Sequence, residues 1–319
     1  MNICGLNFFE GEKAIRVDEQ LKFIKKIFST KPTNIFNIIE QFSKDELLEI
    51  NDFFVSCGDI KLTFNMELVS KLNKVKSLNK PILIRDVTYL RIIPKIRNLD
   101  VNYFPRFTWN SILPGEKNFP FDPNYNRWLD IKKKYNLHIK DYQKQGDKIL
   151  FLLQIPTDAS LNDLNFNQDG YIKFMIRSIN NIFKFSDRDI ILRSHPLNRN
   201  NDIVLNLLMN FFSKTNKVFA SKNENLEDDF NNIKCVVSYN SSSTVEALFN
   251  GINVINLSKM QPCFSAASNS IADIENLKEL DRETFLKKIA FLHWEYDELE
   301  SNDNRKYLCE LLEKSILNT

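Results

Sequence analysis

Three short stretches carry residue types that could act on a phosphate or on a reacting carbon. The first is His195-Pro196, directly behind the apolar run Asp189-Ile190-Ile191-Leu192-Arg193. Proline stops that run and fixes the turn, so the imidazole is held at a strand end. There it could donate to a phosphate or protonate a leaving group, or it could satisfy a nearby backbone carbonyl. Arg193 and Arg199 flank it; they add positive charge, although Arg193 could equally be a solvated strand-end residue. The second stretch is Asn240-Ser241-Ser242-Ser243-Thr244, ahead of Val245-Glu246-Ala247-Leu248. Hydroxyls and unsatisfied N–H groups at a helix start make an anion site, while Ser243-x-x-Glu246 also spells a capping box. The third is Asp158, within Gln154-Ile155-Pro156-Thr157-Asp158-Ala159-Ser160. A carboxylate there could be a base or a nucleophile; taken alone, an Asp in a loop is more often a turn residue.

The elements that must position these groups read as a parallel α/β unit. Apolar runs at 148–154, 189–193, 217–221, 235–239 and 252–257 predict strands. Helical spacing is seen over 171–185, 203–212 and 242–249, with a short polar helix or turn at 226–231. Strands alternating with helices mean a parallel sheet covered on both faces. Ligands in such sheets sit beyond the carboxyl ends of the strands, where Asp158, His195 and the serines all fall. Asp187-Arg188-Asp189 has the DxD spelling of metal-dependent sugar transferases but precedes its strand, at the opposite edge, and is rejected as a metal site. Asp228-Asp229 reads as a solvated helix face, and Trp294 as packing. In the first half, 53–57 and 81–85 read as strands, 39–48 and 68–72 as helices, and 102–128 as an ordered loop rich in aromatics. Lys144-Gln145-Gly146-Asp147 reads as a linker that places a boundary near residue 145, and residues 281–317 read as charged helices.

The 319 residues are enough for about two domains. With 43 Lys+Arg against 41 Asp+Glu the net charge is +2, which gives no global attraction to nucleic acid or anionic lipid. Seven glycines, none in a GxxxxGK[ST] or GxGxxG pattern, exclude glycine-rich phosphate loops. Five scattered cysteines with no CxxC pair read as reduced thiols. No run approaches the roughly 18 apolar residues of a membrane span, and the N-terminus lacks a signal-peptide pattern. The expectation is a soluble, cytoplasmic protein.

The ordered set Gln154…Asp158-Ala159-Ser160, Arg193-Ser194-His195-Pro196 and Ser238-Tyr239-Asn240-Ser241-Ser242-Ser243…Glu246-Ala247-Leu248…Gly251 resembles the capsule polysaccharide biosynthesis glycosyltransferases, including bacterial β-Kdo transferases (Kdo is 3-deoxy-manno-oct-2-ulosonic acid). His293-Trp294-Glu295-Tyr296-Asp297-Glu298-Leu299 is similar to that family's Gln-Trp-x-x-x-Glu-Ile element, with His293 in place of Gln. The resemblance covers about residues 148 to 300. It implies a GT-B arrangement, two Rossmann-like domains facing a central cleft: 1–145 on the acceptor side, 146–280 binding the nucleotide sugar, and 281–319 as helices packing back toward the first domain.

It further implies CMP-Kdo as donor, a glycan or glycolipid as acceptor, no metal or other cofactor, and peripheral contact with the inner membrane face. His195 and Ser241 to Ser243 would hold the donor phosphate, Arg193 and Glu246 would also contact the donor, and Asp158 would act at the anomeric carbon. Arg85-Asp86-Val87-Thr88-Tyr89-Leu90-Arg91 resembles the family's Glu-Asp-Gly-Phe-Leu-Arg element but has Arg85 for Glu and Val87 for Gly. Asp86 and Arg91 are then acceptor-side candidates. Arg106, Trp109, Asn110 and Arg127 form either a sugar platform or a packed loop. Two rival readings share the same sites: a polyol-phosphate transferase, and a nucleotide-sugar-binding subunit that has lost catalysis. A specific nucleic-acid partner is not expected.

Overall fold

The computed structural model describes residues 2–7, 11–31, 35–40, 52–57, 75, 77–93, 104–110, 119–143, 145–156, 161 and 168–316. The chain divides into two compact units. One comprises Met1–Tyr89, Ile93–Ile131 and Lys287–Thr319, the other Leu90–Ile92 and Lys132–Leu286. The division falls at Ile131/Lys132, not at the linker expected near residue 145. Gly146 is instead packed so tightly on the chain at Ile233 that a Cβ there would lie 2.3 Å from a backbone carbon.

The first unit contains strands β1 (Asn2–Asn7), β2 (Ile35–Glu40), β3 (Phe53–Cys57), β4 (Ile82–Asp86) and β5 (Arg106–Trp109). They form one sheet in the order β2-β1-β3-β4-β5, parallel except for β5, which runs antiparallel to β4. Helix α1 (Gly11–Phe28) lays Val17, Leu21, Ile24 and Phe28 on one stripe, three and four residues apart, and buries it against β1 and β3. Glu12 in its first turn and Lys25 and Lys26 in its last suit the helix dipole. Two expectations are corrected here. Ile39 opens no helix, because it lies in β2, where Ile35, Phe36, Ile38 and Ile39 are strand-favouring types. The 102–128 segment is not a plain loop: it holds β5 and the start of helix α2 (Arg127–Lys134). The helix expected at 68–72 lies outside the described residues.

The second unit holds β6 (Lys148–Leu152), β7 (Asp189–Arg193), β8 (Val218–Ala220), β9 (Ile233–Ser238) and β10 (Asn253–Asn256), all parallel, in the order β10-β9-β6-β7-β8. This is the doubly wound order, whose direction reverses between β6 and β9. Helices α3 (Gln168–Ile182) and α4 (Ile203–Phe211) share a core with β6 and β7 through Met175, Ile179, Val204 and Leu208. Helix α5 (Ser243–Phe249) connects β9 to β10. It stops at Gly251, whose φ of +79° and approach to Asp141 only glycine accommodates. Helix α6 (Arg282–Ala290) begins in this unit and ends in the first.

The final helix, α7 (Asn302–Ile316), belongs to the first unit. Its Leu308, Leu311 and Leu312 share a core with Ile3, Leu21 and Trp109. No helix among the described residues is long and apolar enough to cross a membrane.

Candidate functional site

The reversal point of the second sheet gathers the polar residues. Two residues beyond β6 lies buried Gln154, whose backbone N–H donates to the Tyr171 hydroxyl at 2.8 Å. Burial raises the pKa of Tyr171, so that hydroxyl stays protonated. The Gln154 side chain reaches across to Asn240, two residues beyond β9. Its Nε2 donates to Asn240 Oδ1, and its Oε1 accepts the Asn240 N–H at 3.2 Å. This reciprocal pair ties the first strand of the sheet to the serine turn and fixes where the turn stands.

Within the turn the hydrogen bonds are specific. The Ser241 N–H donates to Ser238 Oγ at 3.0 Å, and Ser241 Oγ accepts the Ser243 N–H at 3.3 Å. The Thr244 hydroxyl donates to Ser241 O at 2.7 Å. The capping box spelled by Ser243 and Glu246 is not the cap: the N-cap residue is Ser242, and its side chain makes no capping bond. Ser241, Ser242 and Ser243 are half-buried, and Glu246 is buried in the first turn of α5.

At the end of β7, His195 is partly exposed and caps the short 3₁₀ helix Pro196–Asn201, with Nδ1 accepting the Leu197 N–H at 3.3 Å. In the neutral ring that bond leaves the proton on Nε2. Arg193 does not join this set. It is buried and paired with Asp229, and it donates to Asn223 O at 3.0 Å and Glu224 O at 2.8 Å. Its guanidinium braces the connection into β9, because a buried cation requires a counter-charge and filled donors. Asp229, expected on a solvated face, is accordingly buried. Asp158 lies outside the described residues. Asp187 stands exposed at the amino edge, bonded to Lys217 at 3.3 Å.

Composition gave no signal for three further groups at the carboxyl edge. Ser194 Oγ, Asn256 Nδ2 and both amide atoms of Gln261 are buried without a hydrogen-bond partner among the described residues. A buried polar atom left unsatisfied costs about 1–3 kcal/mol. A polar side chain at the last position of an apolar strand, such as Asn256, is the sequence signal that would have flagged one of them.

The acceptor-side candidates fare differently. Arg106 is fully buried: it is paired with Asp86, donates to Val87 O at 2.8 Å and lies 4.0 Å over the Tyr89 ring. Asp86 also accepts the Val87 N–H at 2.7 Å, so its carboxylate is spent locally. Trp109 is a core residue, edge-on to Phe53 and donating to Ser315 Oγ at 2.7 Å. Asn110 closes the β4–β5 pair, its Oδ1 and N–H both bonded to Ile82, with a φ of 60°. Arg127 is buried 3.6 Å over Trp294 and paired with Glu298 at 2.6 Å. Of the four residues read as either a sugar platform or a packed loop, Arg106, Trp109 and Arg127 are buried in structural contacts, and Asn110 is exposed where it closes the β4–β5 pair. Arg91 is half-buried, in the Leu90–Ile92 stretch that belongs to the second unit.

No protein-family profile matches the chain, and no curated protein does. Solved structures do. A β-Kdo 2,7 transferase, KpsC of Thermosulfurimonas dismutans, is similar over 97% of this chain and 99% of its own, with a TM-score of 0.51 at 14% identity. This is a GT-B fold. The β-Kdo 2,4 transferase of the same organism is similar over 89% of both chains, with a TM-score of 0.48 at 11% identity. In GT-B terms the two sheets are the Rossmann-like units, and the doubly wound second one carries the edge that collects Gln154, His195 and the serine turn.

Proposed function

We propose that the protein is a glycosyltransferase that moves a sugar, Kdo from CMP-Kdo, to a glycan or glycolipid acceptor in surface polysaccharide synthesis. The observation that carries the reading is the Gln154–Asn240 lock, which holds the serine turn at the strand-order reversal of the second sheet with His195 at the neighbouring strand end. That edge is where doubly wound sheets bind nucleotides. The full-length likeness of the fold to a β-Kdo transferase supports the choice of sugar.

In this reading the bond between the anomeric carbon and the phosphate oxygen breaks, and its electron pair passes to the phosphate. His195 Nε2–H and the hydroxyls of Ser241 to Ser243 stabilise that oxygen by hydrogen bonds rather than through a metal ion. Asp158 stabilises or traps the positively charged sugar carbon. The acceptor hydroxyl then bonds to that carbon as any bond to Asp158 breaks, and its proton passes to the released CMP phosphate or to solvent. Asn256 Nδ2 and the Gln261 amide, buried without a partner among the described residues, are candidate contacts to the donor.

A second reading, a nucleotide-sugar-binding subunit without turnover, is favoured by one observation: Asp86, the acid left in the diverged Arg85-Asp86-Val87 element, is tied up by Arg106. Calorimetric titration of CMP, UDP and ADP into wild type and His195→Ala tests the site. CMP is expected to bind most tightly, and the variant to lose about tenfold or more. Equal binding of the three nucleotides removes the Kdo assignment, and unchanged binding in the variant removes His195 from the site. CMP-Kdo turnover by wild type but not by Asp158→Asn separates the enzyme from the binding subunit.

A further inference from the structure

Helix α4 is apolar nearly all round. In Ile203-Val204-Leu205-Asn206-Leu207-Leu208-Met209-Asn210-Phe211 the polar side chains are Asn206 and Asn210. At about 100° per residue, Val204, Leu208 and the following Phe212 form the stripe buried against the sheet. Ile203, Leu207 and Phe211 form a second stripe directly beside it, and they are 52%, 44% and 59% exposed. A helix of this composition is ordinarily covered on all sides.

Beside it on the same sheet face, α3 exposes Lys173 and Arg177 one turn apart, and Lys184 follows its end. Lys214 is exposed just beyond α4. Phe211 leads through Phe212 at 5.0 Å to Phe183 at 6.3 Å, so the apolar stripe runs up to the residue before Lys184. The acids of this layer do not offset the charge. Asp202 is buried as the cap of α4, and Asp187 is bonded to Lys217. Asp147 and Glu275 near Lys184 are paired with Arg188, and among the described residues only Asp169, exposed at the start of α3, faces the same way as Lys173. In a chain whose charges balance overall, this layer is distinctly basic and carries an uncovered apolar stripe.

We propose that the α3–α4 face docks on an anionic lipid surface, with Ile203, Leu207 and Phe211 entering the acyl boundary and Lys173, Arg177, Lys184 and Lys214 meeting headgroup phosphates. Two physical arguments select a bilayer over the other occupants. A two-fold copy would set this basic patch against itself. A nucleic-acid backbone would use the lysines but gains nothing from an aliphatic stripe. An interfacial helix with flanking lysines and arginines uses both.

Co-sedimentation of the full chain with phosphatidylcholine vesicles, with and without phosphatidylglycerol, tests this. Binding is expected only to the anionic vesicles, and it weakens as salt rises. Leu207→Gln with Phe211→Gln lowers partition by about tenfold or more, and so does Lys173→Glu with Arg177→Glu. All four positions are exposed, and an unchanged melting curve verifies folding. As a reporter that leaves the stripe apolar, Phe211→Trp fluorescence shifts to the blue on anionic vesicles. The proposal is overturned if the chain does not partition. Partition indifferent to the apolar pair also overturns it, as does a dimer in light scattering that the apolar pair dissociates. RNA binding without vesicle binding would likewise assign the face to a different partner.

Discussion

Around β5, the first unit turns its arginines and tryptophans inward. Arg106 holds Asp86, Arg127 holds Glu298 and covers Trp294, and Trp109 reaches Ser315. At the carboxyl edge of the second sheet, side chains of no greater chemical capacity stand where strands stop. His195 follows β7 and the serines follow β9, held there by bonds to Leu197, Ser238 and Gln154. The difference lies in what the neighbouring backbone does. β5 pairs with β4 on one side, while the Leu292–Trp294 segment bonds to Pro105 and Phe107 on the other, which encloses the side chains between them. The strands of the second sheet simply end, and the residues that follow them, His195 and Ser241 to Ser243, stay only half-buried. Aromatic and basic content alone therefore says little about sugar binding; position relative to a strand end says more.

The comparison breaks most visibly if the first unit's cluster is not structural. Trp109→Ala and Arg106→Ala are each expected to cost about 3–5 kcal/mol in urea unfolding, one by opening a cavity and the other by stranding Asp86. Nucleotide affinity of the molecules that remain folded should be unchanged. Normal stability with lost sugar binding would make the cluster a site after all.

A smaller effect comes from His293. It is fully buried, donates from Nδ1 to Ile289 O at 2.7 Å and accepts the Tyr89 N–H on Nε2 at 3.0 Å. Burial above all, with Arg106 and Arg127 nearby, lowers its pKa from 6.5 to about 3. The folded state holds it neutral, so its contribution is full above pH 6.5 and is lost as pH falls toward 3. Unfolding experiments should show about 2 kcal/mol less stability at pH 5 from this residue. His293→Gln can keep one donor and one acceptor, and should flatten that slope.

The smallest effects sharpen the other side of the comparison. Ser242→Ala should change stability by less than about 0.5 kcal/mol, since its side chain makes no capping bond. Ser241→Ala, which loses the acceptor for the Ser243 N–H, should cost about 1 kcal/mol. Thermal melts of the two variants distinguish a turn whose serines all serve the fold from one that holds Ser242 for a ligand.

The second unit was legible because its strands are short apolar runs between clear breakers, and β6, β7, β9 and β10 fall within a residue or two of where those runs lie. The location of His195 and the serines at strand ends followed from that. What spacing does not carry is pairing between distant segments. The bonds from β5 to 292–294, Arg193 to Asp229, and Gln154 to Asn240 all join residues far apart in the chain, and each decided whether a polar side chain was structure or site. Helix α1 is a different case, since Val17, Leu21, Ile24 and Phe28 repeat at helical spacing and could have been read directly.

One consequence concerns the order in which the parts become available during synthesis. The first unit's core takes Ile3 and Leu21 from the beginning of the chain and Leu308 and Leu312 from near its end. The second unit is drawn almost entirely from one unbroken run, Lys132–Leu286. On the ribosome that run can close as soon as it emerges, while the earlier-made strands β1 to β4 wait for α7. Truncation within α7 would therefore leave a finished second unit attached to an N-terminal half with its apolar face still open, a species exposed to aggregation and proteolysis.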